Sequence, residues 1–558
     1  MVGWQPLATL PAFPVSTMLL LTDGTVFCQA DTGSGNGGID WWRLTPDQFG
    51  DYVHGSWTPL PAMHYTREYF ASAVLGDGRV FVAGGEYSNN GGDTSTAEIY
   101  DPALNTWTPI MAPPGWVSIG DAPCCVLPDG RVLLGSIKGP ETALYDPLAD
   151  VWTAGPDKLN NSNEEETWTL LPDGSVLTVE CTGSFQGERY VPSLARWVSA
   201  GTPPVALVQA SSNEIGPAIL LPDGRVWVIG ATGHTALYTP PATPDGVGAW
   251  AAGPDFPVDG NGHLLEAKDA PACLLPNGQV LCVAGPAGEG GNFPGPTSFF
   301  LFDGISLNPI AASPNSARPP FQGRILLLPT GQVLFANQTS DLQVYTPDGA
   351  PHEAWRPHIT ALSSHLSRGN THTLLGRQLN GLSQAVSYGD DATMATNYPL
   401  IRIEHLANGK VWYCPTFGHT LGVATGAAIQ ATSFQVPFTV EYGPALLYLV
   451  ANGISSECMR ITVTPFVRQF PPFDEQMVNF LIGSLADGPL WALTPHGPVP
   501  VDPWGPHWKE VQAVYGNIVQ SLEHLQALGR QVLAERQTAT RGEEQGVALR
   551  SNLKTGRA

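Results

Sequence analysis

The sequence predicts an all-β fold: a seven-bladed β-propeller, then a β-sandwich, with a C-terminal helix after them. Three observations carry this. A short apolar run, a tight turn and a second apolar run recur seven times, with turn glycines at Gly24, Gly78, Gly130, Gly174, Gly224, Gly278 and Gly331. Beyond residue 357 that repeat stops and shorter alternating segments take over. From Pro506 onward, apolar residues return every three or four positions.

The clearest repeat is Leu127-Pro128-Asp129-Gly130-Arg131-Val132-Leu133-Leu134. Asp-Gly and Asn-Gly supply positive φ, so each copy reads as two antiparallel strands joined by a two-residue hairpin turn. A spacing of roughly fifty residues belongs to propeller repeats, where one blade cannot bury its faces alone. A third strand ends in an aromatic, as at Tyr100-Asp101-Pro102, Tyr145-Asp146-Pro147 and Tyr238-Thr239-Pro240. A tryptophan marks a fourth strand at Trp57, Trp107, Trp152, Trp197 and Trp250, and the sixth repeat lacks it. Four strands make a complete blade. Trp4-Gln5-Pro6-Leu7 resembles the fourth-strand signal but precedes the first hairpin, so it is expected to close the ring on blade seven. The ring is then residues 1–357.

Residues 358–466 carry strand-like segments at Thr371–Leu375, Leu400–Ile403, Lys410–Tyr413, Ser433–Val436 and Ala445–Val450. They predict an antiparallel sandwich, immunoglobulin-like in broad class. Residues 467–505 are proline-rich and read as a linker. In 506–558, Val511, Val514, Ile518, Leu522, Leu525, Leu528 and Val532 form one apolar stripe, a helix to about Glu535, followed by a polar tail.

Composition excludes several classes. With 26 Lys and Arg against 49 Asp and Glu, the net charge is −23, which argues against nucleic acid. The N-terminus has neither a basic n-region nor an apolar h-region, and no stretch reaches transmembrane length, so no membrane is expected and the cytoplasm is the expected compartment. Eight scattered cysteines form no CxxC pair, and adjacent Cys124 and Cys125 should point to opposite faces.

Val82-Ala83-Gly84-Gly85 after a second strand resembles the kelch repeat. Arg67-Glu68-Tyr69-Phe70-Ala71-Ser72, Leu400-Ile401-Arg402, Gly418-His419-Thr420 and Ser433-Phe434-Gln435-Val436-Pro437 are similar to the galactose oxidase and glyoxal oxidase family of copper radical oxidases, a kelch ring followed by an early-set immunoglobulin-like domain. The resemblance covers roughly residues 1–466. It implies one copper held by two tyrosines and two histidines, with one tyrosine cross-linked to cysteine. By counting from the hairpin glycines, the cross-linked tyrosine falls on Tyr69 and its stacking aromatic on Tyr87. The cysteine falls on Val15, the axial tyrosine and its histidine on Phe321 and Gln322, and the last histidine on His419. Valine forms no thioether, phenylalanine offers no phenolate, and glutamine is a poor copper ligand beside imidazole. Tyr69 and His419 would remain as a two-ligand metal site.

The same register puts Asp121, Glu165 and Asp269 at strand starts, with Glu214 near that level, and Arg67, Lys268 and Arg324 supplying opposite charge. An acidic mouth could hold Ca²⁺ or a cationic ligand, or these residues could simply cap loops. The expected function is a non-catalytic binding or assembly module, with no cofactor and a protein or carbohydrate ligand at the mouth. One alternative is a copper-dependent oxidoreductase acting on alcohol or aldehyde groups. Another is a structural subunit docked through its C-terminal helix, using Val511, Ile518, Leu525 and Val532.

Overall fold

The computed structural model describes residues 2–32, 37–88, 91–389, 394–465, 491–494 and 497–500. All seven predicted hairpins form; six belong to four-stranded antiparallel sheets, and the four strands of blade six are extended by Leu265–Glu266 and Val386–Ser387. Blade two is representative: Ala71–Val74, Val80–Ala83, Ala97–Asp101 and Thr106–Ile110 pair in sequence order.

The turns differ from the expectation. In each, the leucine before the turn exchanges bonds with two later residues. Leu127 N donates to Arg131 O at 2.8 Å, and Gly130 N donates to Leu127 O at 2.9 Å. The loop is therefore three residues, a tight turn closed by a glycine in the left-handed region, and only the glycine needs positive φ. The seven glycines span φ 76 to 92. Pro128, Pro172, Pro222, Pro276 and Pro329 sit second in their turns, where a φ near −65° belongs, while Thr22 and Gly76 hold that place in two turns that close the same way. The turn Asp or Asn carboxyl or amide oxygen then accepts the N–H two residues on, as Asp129 does from Arg131 at 3.1 Å.

Ring closure is as expected. Gly3–Pro6 pairs antiparallel with Gln343–Thr346, completing the blade of Arg324–Leu327 and Val333–Ala336. Outer-strand tryptophans other than Trp197, whose Nε1 makes no hydrogen bond, lock neighbouring blades together. Trp107 Nε1 donates to Pro61 O at 3.0 Å, Trp152 to Met111 O at 2.6 Å and Trp250 to Ala200 O at 2.7 Å, each carbonyl belonging to the preceding blade or its exit. Trp4 does the same across the closure, to Ala311 O at 2.9 Å, and Trp57 continues the series to Thr9 O at 3.0 Å. Blade six forms its fourth strand, Leu307–Ile310, without a tryptophan.

The sandwich has two sheets. One orders His358–Ala361, Thr371–Arg377, Ile429–Gln435 and Thr416–Phe417; the other is built on Gly443–Ala451 flanked by Leu400–His405 and Met459–Thr464. Leu374, Ile401, Ile403, Phe434, Leu447 and Leu449 fill the space between them. Met1–Val467 form one compact unit. In the second unit the described residues form a hairpin, Trp491–Thr494 with Gly497–Pro500. The predicted helix, with Val511, Ile518, Leu525 and Val532, lies outside the described residues. Among the described residues, no helix is long and apolar enough to cross a membrane.

Between the sandwich strands ending at Arg377 and starting at Leu400, the chain enters the ring. Val386–Ser387 adds to the inner edge of blade six, Cys273 pairing with Val386 and Ala272 with Ser387. Leu170 N of blade four donates to Gln384 Oε1 at 2.9 Å. The Tyr398 hydroxyl donates to Leu20 O of blade one, and the Tyr388 hydroxyl to Phe321 O beside blade seven at 2.7 Å. Val386, Tyr388, Met394 and Tyr398 are buried in the same core as the inner strands of those blades. This channel segment fills the centre of the ring with side chains from the second domain.

Candidate functional site at the ring mouth

The residues just before the inner strands rim one end of the channel. Tyr69, Glu165 and Asp269, each nine positions before its turn glycine, share a left-handed backbone with φ 49, 61 and 46. A non-glycine residue held there costs roughly 1 kcal/mol or more, and such conformations cluster at functional sites. Here the kink recurs at one register of blades two, four and six.

Three of the four predicted acidic residues converge. Glu165, Glu214 and Asp269 each offer a carboxylate oxygen, all within 4.8 Å of one another. Among the described residues they are the one group of three or more His, Cys, Asp or Glu side chains close enough to share a metal ion. Asp121 is buried at the same level but outside that trio. Its field, with those of Glu86, Glu68 and Glu165, raises the Tyr87 phenol, though burial is the larger cause.

Tyr69 faces a different environment. Its ring meets Tyr87 edge-on at 6.2 Å. The Arg324 guanidinium stands over it, with Cζ 5.7 Å from the Tyr69 ring centre and 3.7 Å from that of Tyr388. Arg324 Nη1 donates to Phe321 O at 2.8 Å and Gly323 O at 2.9 Å. Burial, and then the Glu68 carboxylate, push the Tyr69 phenol far above its usual range, against the pull of Arg324 and Gln338. Tyr69 is a neutral phenol at any ordinary pH.

The other predicted cations turn away from the trio. Arg67 reaches into its own blade, to Gly84 O at 2.6 Å, Thr96 O at 2.9 Å and Glu98 at 3.3 Å. Lys268 donates to the carbonyls of Gly288, Gly290 and Asn292 and sits 4.3 Å from the Phe293 ring centre.

Of the five positions carried over for copper ligation and the cross-link, Tyr69 alone brings a copper-donor side chain to the mouth. Val15 is fully buried in its strand, where its carbonyl accepts Gln338 N at 3.2 Å. The Phe321 ring packs on Phe293 at 5.0 Å, and Gln322 Oε1 accepts from Arg318 at 3.2 Å. His419 is not at this end. Its neighbour Gly418 donates to Gly76 O at 2.7 Å in the hairpin turn of blade two, the opposite end of the strand that Tyr69 precedes. There it lies 6.1 Å from the Tyr398 ring, buried, with Nδ1 lacking a hydrogen-bond partner. Desolvation lowers it to about 4 against the opposing field of Asp77. Sequence position alone had joined two residues that the blade length separates, and the donor set does not fit a copper centre.

Tyr388 was missed. The available signal was the stretch between Arg377 and Leu400, too long for an idle sandwich loop. Cys124 and Cys125 form no disulfide and are buried on successive strand positions, their thiols directed to Ser72 O and Val126 O, as packed cysteines should be.

The kelch motif family matches residues 69–114. Over 60 residues the chain is 42% identical to a galactose oxidase of Gibberella zeae, a match spanning 11% of this chain and 9% of that protein. Over 62 residues it is 40% identical to an F-box/kelch-repeat protein of Arabidopsis thaliana, covering 11% of this chain and 18% of that one. Among solved structures, a fungal alcohol oxidase of the AA5 family in complex with copper superposes with a TM-score of 0.51 at 15% identity, over 83% of this chain and 100% of that one. That likeness carries the fold.

Proposed function

We propose that this chain, a kelch-repeat protein of the galactose-oxidase-like family, is a non-catalytic binding module that receives a cationic group in the mouth of its ring. The observation that carries this reading is the convergence of Glu165, Glu214 and Asp269 within 4.8 Å. Three carboxylate oxygens so placed can share one hard cation or a ligand ammonium through oxygen contacts. The mouth of a ring is also where a protein or carbohydrate partner finds concave, loop-lined surface.

The test compares thermal shifts on adding Ca²⁺ in wild type and in Glu214→Gln with Asp269→Asn. A rise in wild type that the double variant loses supports the reading; equal responses sink it.

The second reading, a copper-dependent oxidoreductase acting on alcohol or aldehyde groups, is favoured by Tyr69 and by the 60-residue match to galactose oxidase. Oxygen consumption by copper-loaded protein on such substrates, lost in Tyr69→Phe, would establish it in place of the first.

A further inference from the structure

We propose that Arg324 fills, as a fixed organic cation, the place beside Tyr69 that a metal would take. Four contacts define the placement. Its guanidinium carbon is 3.7 Å from the centre of the Tyr388 ring and 5.7 Å from that of Tyr69, and Nη1 bonds the carbonyls of Phe321 and Gly323. The Tyr388 hydroxyl donates to the same Phe321 carbonyl, which ties the channel segment to the clamp. Arg324 is 1% exposed, so no water screens it.

A guanidinium between two ring faces gains cation–π attraction that grows as water is removed. It cannot lose its charge at physiological pH. A metal dication seeking the Tyr69 oxygen would meet that charge at short range, in a setting where like charges repel strongly. Tyr69 is thus an aromatic platform for Arg324, and Arg324 decides that this side of the mouth takes no metal. Arg324 acts on the Tyr69 side alone, whether or not the carboxylate trio binds a cation.

Two measurements test it. Wild type and Tyr69→Phe are incubated with excess Cu(II), desalted, and compared by elemental analysis and electron paramagnetic resonance. Equal residual copper in both is expected, because surface histidines bind it alike. One copper per chain that Tyr69→Phe abolishes would overturn the inference, and without alcohol or aldehyde oxidation it would leave the non-catalytic reading intact. The second measurement is a melting cycle with Arg324→Gln, Tyr388→Leu and the pair. Each single change should lower Tm by about 2–4 °C or more, with the double variant well short of the sum. Strictly additive losses would show that the two side chains form no clamp.

Discussion

A buried imidazole with an unmet ring nitrogen makes stability depend on pH, and His419 is such a group. Its folded value is lowered from 6.5 to about 4, so between those values the unfolded chain binds the proton and the folded chain does not. Stability contributed by this site is complete above pH 6.5 and falls as pH drops toward 4, by up to about 3 kcal/mol. Unfolding midpoints measured from pH 7 to 4.5 should therefore decline more steeply in wild type than in His419→Gln. Parallel curves would show that the residue is solvated. At the carboxylate trio, Glu214→Gln removes one of three carboxylates whose oxygens lie within 4.8 Å of one another, so it should lower any gain in Tm from Ca²⁺. An unchanged gain would mean that Glu214 takes no part in binding.

The hairpin turns and the tryptophan locks are the repeated devices of the ring, and their copies are not equivalent. Gly224 has φ 87 and open space where a Cβ would stand, whereas a Cβ on Gly278 would lie 2.3 Å from the Trp355 ring. Gly224→Ala should cost about 1–2 kcal/mol from backbone strain alone. Gly278→Ala adds a clash with a rigid ring and should lower Tm at least as much again, a comparison that differential scanning calorimetry can make directly. Trp4 is the lock that matters for closure, since its strand is the one far from its blade in sequence. It packs on Phe299, Phe335 and Tyr345 at 4.9, 5.8 and 5.0 Å and bonds Ala311 O. Trp4→Ala should destabilise by about 3 kcal/mol and hasten proteolysis near both ends of the ring. Unchanged proteolysis would place the closure elsewhere.

Ring and sandwich share one compact unit because the sandwich sends Val386, Tyr388, Met394 and Tyr398 into the core of the ring. The two should consequently unfold together, with a single calorimetric transition for residues 1–465. Two separated transitions would argue that the channel segment leaves its seat before the ring melts. The C-terminal stripe through Val511, Ile518, Leu525 and Val532 is proposed as a docking element for a protein partner. Truncation after Val501 should change oligomeric state or partner binding while leaving that transition in place; an unchanged state would assign the stripe no such role.

Blade number, strand order, the closing strand and the sandwich were legible in the linear chain, because turn residues and apolar alternation are local consequences of backbone geometry. Gly24 through Gly331 mark the hairpins, and Trp4 declares its blade by matching Trp107. The acidic level of the mouth was legible in part: Glu165 and Asp269, equally far from their turn glycines, meet, while Asp121 at that same distance stays outside the trio and Glu214, one position off, joins it. The turn type was not, because a left-handed glycine serves both two-residue and three-residue loops. Nor was the pairing of Arg324 with Tyr388, or the removal of His419 to the far face. Those depend on which stretch of the sandwich threads the ring, and burial of a segment inside a closed ring is decided by packing among residues hundreds of positions apart. No local pattern encodes that choice; the threading of the chain does.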